Sequence, residues 1–349
     1  MLPEATGHRV GRPRPSLVKL AWGVVAGLLL IGLGYGLYEY LWGDPIATLI
    51  DRACIGGCTP GESGHWLGTD SLGRDVAAQL AGGAATALLG GLLAAGGSLF
   101  IGYVLGAGAA WLSRGGRQVP WWLWLFGLAG IGYLGFTIAY GALSSIHVQL
   151  IVLLLASVLV GLILWWERQN AQVLPAWVGW GVQADRVLVW WSEVVSSVPA
   201  LLLLLALASL ALRPSLGQLI LIYVAVRWPA FAVLALQESR AVLHQPYVLA
   251  AHAGGIGTKN VIFHHVLPNT IGPMLVKGIL AVGGFILVEG TFAFLGLGLP
   301  VEQPSWGRVL AEAQQLRGAW WLWVFPGLAL FASLLSLQVI GLSLKPVSD

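Results

Sequence analysis

Charge is what this sequence has least of. Of 349 residues only 9% are Asp, Glu, Lys or Arg, whereas soluble domains carry roughly 25%. Hydrophobic types make up 57%, and the mean hydropathy is +0.81. A soluble fold of this size could not take so much apolar surface out of water. The scarcity of charge therefore excludes a soluble domain and leaves an integral membrane protein. The formal net charge is only +3, thinly spread, so no basic patch for nucleic acid is present. Cysteine is nearly absent too: Cys54 and Cys58 in "DRACIGGCTP" are the only two. They lack the second ligand pair of a structural zinc site. The spacing fits either a small disulfide, should the loop face an oxidising compartment, or two free thiols. No nucleophile–base arrangement and no pair of catalytic carboxylates can be picked out, so an enzyme is not expected, and neither is a cofactor. No period of 20–50 residues recurs, which excludes a solenoid.

What the chain has instead is long apolar runs. Stretches near 18–41, 82–112, 120–142, 147–166, 187–211, 216–237, 272–295 and 319–343 are each long enough to span a bilayer. About eight helices are expected, since helix is the only spanning form these long runs suit. The first follows a basic head and has no small-residue cleavage site, so it reads as a retained helix rather than a cleaved signal. Residues 1–17 then form a tail, 18–41 the first span and 42–81 an external segment, with the remaining spans in 82–349. Eighteen tryptophans and 48 glycines suit a bilayer setting. Glycines four apart, as in Gly23/Gly27, Gly32/Gly36 and Gly102/Gly106, suit ordinary close packing of helices.

Lys and Arg give a direction. With the N-terminus inside, the inner segments hold Arg9, Arg12, Arg14, Lys19, Arg114, Arg117, Arg168, Arg186, Arg240, Lys259 and Lys345. The outer ones keep Arg52, Arg74, Arg213, Arg308 and Arg317. Both termini are thus expected in the cytoplasm. Charged residues within the spans are few, and Glu193, Arg227, Lys277 and Glu289 are those away from the first helix. Such residues are costly in a membrane and often functional. Glu193 and Glu289 are available as partners of Arg227, and Lys277 is near enough to a helix end to snorkel.

One polar island stands apart: "YVLAAHAGGIGTKNVIFHHVLPN", residues 247–269. Pro246 suits a helix start, and Gly254, Gly255 and Gly257 break the run. Two short cytoplasmic helices are expected, the second closed by Pro268. The first, over 247–253, presents Ala250, Ala251 and Ala253 as a shallow knob that can seat in a groove of another protein. His244, His252, His264 and His265 suggest a metal, but they lack helix-spaced pairing and nearby carboxylates or thiolates, so no metal site is expected. "GGIGTKN" has the wrong order for a phosphate loop, so any nucleotide must be bound by another chain.

The island resembles the coupling loop, the "EAA" motif, of permease subunits in ATP-binding-cassette importers, within the oligopeptide/dipeptide C-type subfamily. Further stretches resemble the same subfamily: "HWLGTDSLGRDVAAQL" at 65–80, "DRVLVWWSEVVSSVPALLLLLAL" from Asp185, "VEGTFAFLGLGLPVEQPSWGRVL" at 288–310 and "WLWVFPGLALFASLLSLQVIGLSL" at 321–344. The resemblance covers most of the chain outside roughly 112–182. It implies an all-α, MetI-like type I transmembrane domain in the bacterial inner membrane, with six family-like helices plus an inserted hairpin at 119–170. It also implies separate ATPase subunits, a second related permease subunit and a periplasmic solute-binding protein as partners. The coupling loop would span 238–271, with Tyr247, Ala250, Ala251, Ala253, Gly255, Pro268 and Asn269 at coupling positions. Gly255 matches a turn glycine needing positive φ. Leu249 stands where the motif has glutamate, His252 at the next basic position and Gly254 where it has leucine. Glu289 matches a family position, as a structural charge or one on the translocation path. The competing class, a secondary transporter or channel without an ATPase, would need two related halves with broken helices or paired charges at mid-membrane. No such symmetry is found.

Overall fold

The computed structural model describes residues 13–42, 49–114, 118–120, 181–209, 214–297, 299–300, 303–316 and 318–344. In chain order these form α1 (Pro15–Trp42), α2 (Val76–Arg114), β1 (Gln118–Pro120), β2 (Gly181–Gln183), α3 (Ala184–Ser196), α4 (Ala200–Ser209) and α5 (Leu216–Leu243). They continue with α6 (Pro246–Ala253), α7 (Thr258–Val261), a π-helical turn (Ile262–Val266), α8 (Leu267–Phe294), α9 (Trp306–Glu312) and α10 (Trp321–Ser343). Five helices are long and apolar enough to cross a membrane: Pro15–Leu41, Val76–Ser113, Leu216–Leu243, Ile262–Phe294 and Trp321–Ser343. A sixth span results if the bent pair α3 and α4 counts as one. The chain is a helical, multi-pass membrane protein. The two spans expected near 120–142 and 147–166 lie outside the described residues.

Three boundaries differ from expectation. The second helix begins at Val76 rather than near 82, because Asp75 caps it: its Oδ1 accepts from the Ala78 N–H at 2.9 Å. The run at 187–211 is not one straight span but two helices meeting at 79°. Pro199 removes a donor and drives Val198 out of helical conformation. Its first half, α3, is amphipathic, with Ala184, Leu188 and Ser192 buried at four-residue spacing. Nor does Pro268 close a second short helix, since the chain stays helical from Thr258 to Phe294. A π turn takes up the strain there: the Leu267 N–H reaches back to Ile262 O. The widened turn makes room for a proline ring that would crowd the carbonyl four residues earlier. Asn269 Nδ2 donates to His265 O at 2.6 Å and Thr270 Oγ1 to Val266 O at 3.0 Å.

Two compact units are distinguished. The first comprises Met1–Gly91, Leu275–Gly290 and Glu302–Asp349. In it α1 and α9 each pack on α10, and Val76, Val309, Ala319, Trp321 and Leu322 form a buried cluster. The loop ahead of α2 is tied down by polar contacts. Asp70, fully buried, accepts from the Leu72 and Arg74 N–H groups through Oδ1, each at 2.9 Å. Its Oδ2 receives Arg74 Nε at 2.6 Å and Gln79 Nε2 at 2.9 Å. Arg74 also donates to Glu312 Oε1 at 3.3 Å, and Trp321 Nε1 donates to Thr69 O at 3.0 Å. The "GTDSLGRD" stretch is therefore a self-satisfied turn with no exposed charge at its centre. Cys54 and Cys58 of the same loop are joined by a disulfide.

The second unit comprises Leu92–Met274 and Thr291–Val301. Here α5 packs with α3 and α4. It also meets the C-terminal half of α2 at Gly102 and Gly106, where backbones nearly touch: a Cβ on Gly106 would lie 2.1 Å from Ala232 O. Strands β1 and β2 pair antiparallel, Gln118 with Gln183 and Pro120 with Gly181.

Candidate functional site

The polar island lies in the second unit and is built from α5 onward. α5 starts on a capping box, Ser215 with Gln218, and ends at His244. Gln245 O then accepts the Val248 and Leu249 N–H groups, starting α6 with Pro246 in its first turn. At the far end the Ile256 N–H donates to Ala251 O at 3.1 Å across Gly255, whose φ is +79°. This six-to-one bond over a left-handed residue is a Schellman stop. A side chain at Gly255 would be strained there.

One face of this helix–turn–helix is buried. Val248 and Val261 are both fully buried and Val266 nearly so, in a cluster with Ala109 and Ala110 of α2, Ala184 and Leu188 of α3, and Ala232, Leu236 and Leu243 of α5. Full burial of each valine stabilises by about 1.5–3 kcal/mol. A polar clasp adjoins the cluster: Arg240 of α5 donates to Asp185 Oδ2 of α3, and Ser113 of α2 donates to Asp185 Oδ1 at 2.8 Å. The short helix is thus bolted to three longer ones.

Several apolar side chains outside that cluster are exposed. Tyr247 is 46% exposed, Leu249 47%, Ile256 40% and Phe263 62%. Ala250 and Ala253 are exposed beside them. Pro268 and Asn269 lie on the outer side of the π turn. Two of the histidines are engaged locally: His264 Nδ1 faces Asn260 O at 3.2 Å, and the His265 ring lies 5.9 Å from that of Tyr247. Phe263 and Ile256 were not singled out by the sequence, although both are large apolar residues in a stretch that leaves the membrane. Asp185 and Arg240 give no pairwise signal beyond being rare charges beside apolar runs.

Of the intramembrane charges, Arg227 lies beside the Tyr223 hydroxyl on its own helix. Glu289 is buried in the first unit next to Ser305 and Arg308, with one carboxylate oxygen, Oε1, making no hydrogen bond. Among the described residues, one group of three metal-type donors lies close together: Asp51, Cys54 and His65, far from the island in the sequence.

Residues 173–346 match the family described as binding-protein-dependent transport system inner membrane component. A Brucella suis protein whose name assigns it to a peptide transport system as permease is 30% identical over 227 residues, 64% of this chain and 73% of that protein. The dipeptide transport system permease protein of Alkalihalophilus pseudofirmus is 25% identical over 82% of this chain and 71% of its own length. The di/tripeptide transport system permease protein of Pseudomonas aeruginosa is 32% identical over 45% of this chain and 52% of its own. With five apolar spans among the described residues, six if the bent pair counts as one, and a loop seated between α5 and α8, the chain belongs to the binding-protein-dependent transport system inner membrane component family and is a permease subunit.

Proposed function

We propose that this permease subunit serves an ATP-driven importer of peptides or similar small solutes, and that α6 and the turn after it dock into a separate ATPase. The observation that carries the reading is the pairing of an exposed apolar face, Tyr247, Leu249, Ile256 and Phe263, with a fully buried one on the same short element. Exposed apolar residues clustered on a rigid support mark a protein contact. Nucleotide-driven closure of the ATPase would push on α6, and the cluster and clasp behind it would pass the movement to α2, α3 and α5. Ala250, Ala251, Ala253, Gly255, Pro268 and Asn269 shape the knob. The peptide permeases named above support the solute class.

The partners in this reading are ATP-binding-cassette ATPase subunits, a second related permease and a periplasmic solute-binding protein, in the bacterial inner membrane. The bias of Lys and Arg supports cytoplasmic termini and a cytoplasmic docking loop. Residues 1–17 are then a cytoplasmic tail and 42–81 a periplasmic segment. The insertion at 119–170 is assigned to lateral packing or partner contact, and its deletion should leave the ATPase bound. Affinity purification from salt-washed membranes tests the main reading. The ATPase should stay with the wild-type chain and be lost with Leu249→Asp/Phe263→Asp. Transport that survives ATP depletion, with no ATPase retained, would overturn it.

A further inference from the structure

The geometry points to a divalent-metal site in the loop before α2, made by Asp51, His65 and Cys54 and closed off when Cys54 is tied to Cys58. The three donor atoms lie within 4.8 Å of one another. Ligand atoms on a tetrahedral zinc ion are about 3.3–3.8 Å apart, given bonds of about 2.0–2.3 Å. A small closure of the loop therefore brings them to bonding distance.

The loop already orients these groups as a metal site does. His65 sits between two carboxylates, with Nδ1 at 2.6 Å from Asp75 Oδ2 and Nε2 at 3.3 Å from Asp51 Oδ2. Each carboxylate is held by a backbone N–H on its other oxygen: Ala53 N on Asp51 and Ala78 N on Asp75, both at 2.9 Å. Neither is free to turn away. With Nδ1–H donated to Asp75, the Nε2 lone pair faces the Asp51 carboxylate, an arrangement that calls for a cation between them. A zinc-type ion can fill that position, with Asp75 as the carboxylate that steadies the ligating histidine.

The third ligand is conditional. As a disulfide sulfur, Cys54 has no thiolate to offer. A dithiol reductant changes that. It transfers two electrons, its own sulfurs become a disulfide, and the Cys54–Cys58 bond opens to two thiols. Metal binding then displaces the Cys54 thiol proton to solvent. Disulfide and metal are thus alternative closures of one loop, selected by redox state.

The test uses the full-length chain in detergent with Co2+ as a spectroscopic probe and Zn2+ as competitor. Cys58→Ser leaves the Cys54 thiol free without added reductant. It should bind Co2+ with a single thiolate-to-metal absorption band that Zn2+ removes. Cys58→Ser/His65→Gln and Cys58→Ser/Asp51→Asn should each bind about tenfold more weakly or worse, and Cys58→Ser/Asp75→Asn about 10–100-fold more weakly. Oxidised wild type should show no band, gain it after reduction by a dithiol that is removed before Co2+ is added, and lose it on reoxidation. This reduced wild-type measurement also guards against misfolding of the variant. The proposal is overturned by absence of the band in Cys58→Ser that elutes and melts like wild type. A band unchanged by the His65 and Asp51 variants, or equal affinity of the oxidised wild type, overturns it as well.

Discussion

Arg240 and Asp185, 55 positions apart in the sequence, meet side chain to side chain, and the same Asp185 carboxylate takes the Ser113 hydroxyl at 2.8 Å on its other oxygen. One acidic residue thereby joins the end of α2, the start of α3 and the last turn of α5, directly ahead of α6. Arg240 is 41% exposed, so the pair contributes about 1 kcal/mol or less to stability. Its expected role is transmission. Asp185→Ala should lower the melting midpoint only slightly yet raise the ATP hydrolysed per solute imported. The exchange Asp185→Arg/Arg240→Asp should restore coupling. Coupling ratios equal to wild type in Asp185→Ala would show the clasp to be idle.

The buried pair ahead of α2 should behave in the opposite way. Asp70 and Arg74 are 0% and 4% exposed, and every contact to Asp70 is intramolecular. Asp70→Ala leaves the buried guanidinium with only the longer contact to Glu312 at 3.3 Å and leaves Gln79 Nε2 without its acceptor, and should cost about 3 kcal/mol. Thermal unfolding of the solubilised chain checks this. A loss under about 1 kcal/mol would mean that water replaces the carboxylate without penalty.

The proposed docking through Tyr247, Leu249, Ile256 and Phe263 would be apolar and should resist salt. Raising ionic strength from about 0.1 to 1 M shortens the screening length to about 3 Å, which weakens contacts between exposed charges but leaves apolar burial intact. Retention of the ATPase should therefore be nearly unchanged, whereas Leu249→Asp should weaken it at least about tenfold. Release by salt alone would place the main contact elsewhere.

Acidity should tune the loop ahead of α2. The hydrogen bond to Asp75, assisted by Asp51, raises the pKa of His65 above its usual value against the opposing effect of burial. Its stabilisation is then complete below about pH 6.5 and is lost as pH rises through the raised value. The Ala53 N–H, and then His65, lower the pKa of Asp51, so that contribution is present above about pH 3.9 and is lost in acid. Amide protection across 49–75, with exchange rates referred to their intrinsic pH dependence, should be greatest between about pH 4.5 and 6.5, and its fall on the alkaline side should be abolished by His65→Gln.

Much of this was legible in residue order. Long apolar runs located the spans, because backbone groups in lipid must be satisfied within one segment. Gly255 showed as a stop because few residues tolerate its backbone angle. Pro199 and Pro268 were less transparent, since a proline can break a helix, bend it or sit in a widened turn. At Pro268 the π turn absorbs the ring, with Asn269 and Thr270 bonding to the His265 and Val266 carbonyls, whereas at Pro199 the helix breaks. The Asp185–Arg240 clasp and the Asp51–His65–Asp75 chain were not legible. Each needs residues far apart in sequence to be brought together by helix packing or by a closed loop. Gly102/Gly106 and Gly23/Gly27 share a spacing, yet only the first pair presses on a neighbouring backbone.

The pairing of Gln118–Pro120 with Gly181–Gln183 bears on everything that follows it. Hydrogen-bonded strands lie on one side of the bilayer, so the chain enters and leaves the intervening stretch by a single doorway. Whatever occupies that stretch, the sidedness of α3 to α10 is the same as if it were absent. The doorway is therefore a splice point, where a segment could be gained, lost or exchanged for a reporter without turning the permease inside out.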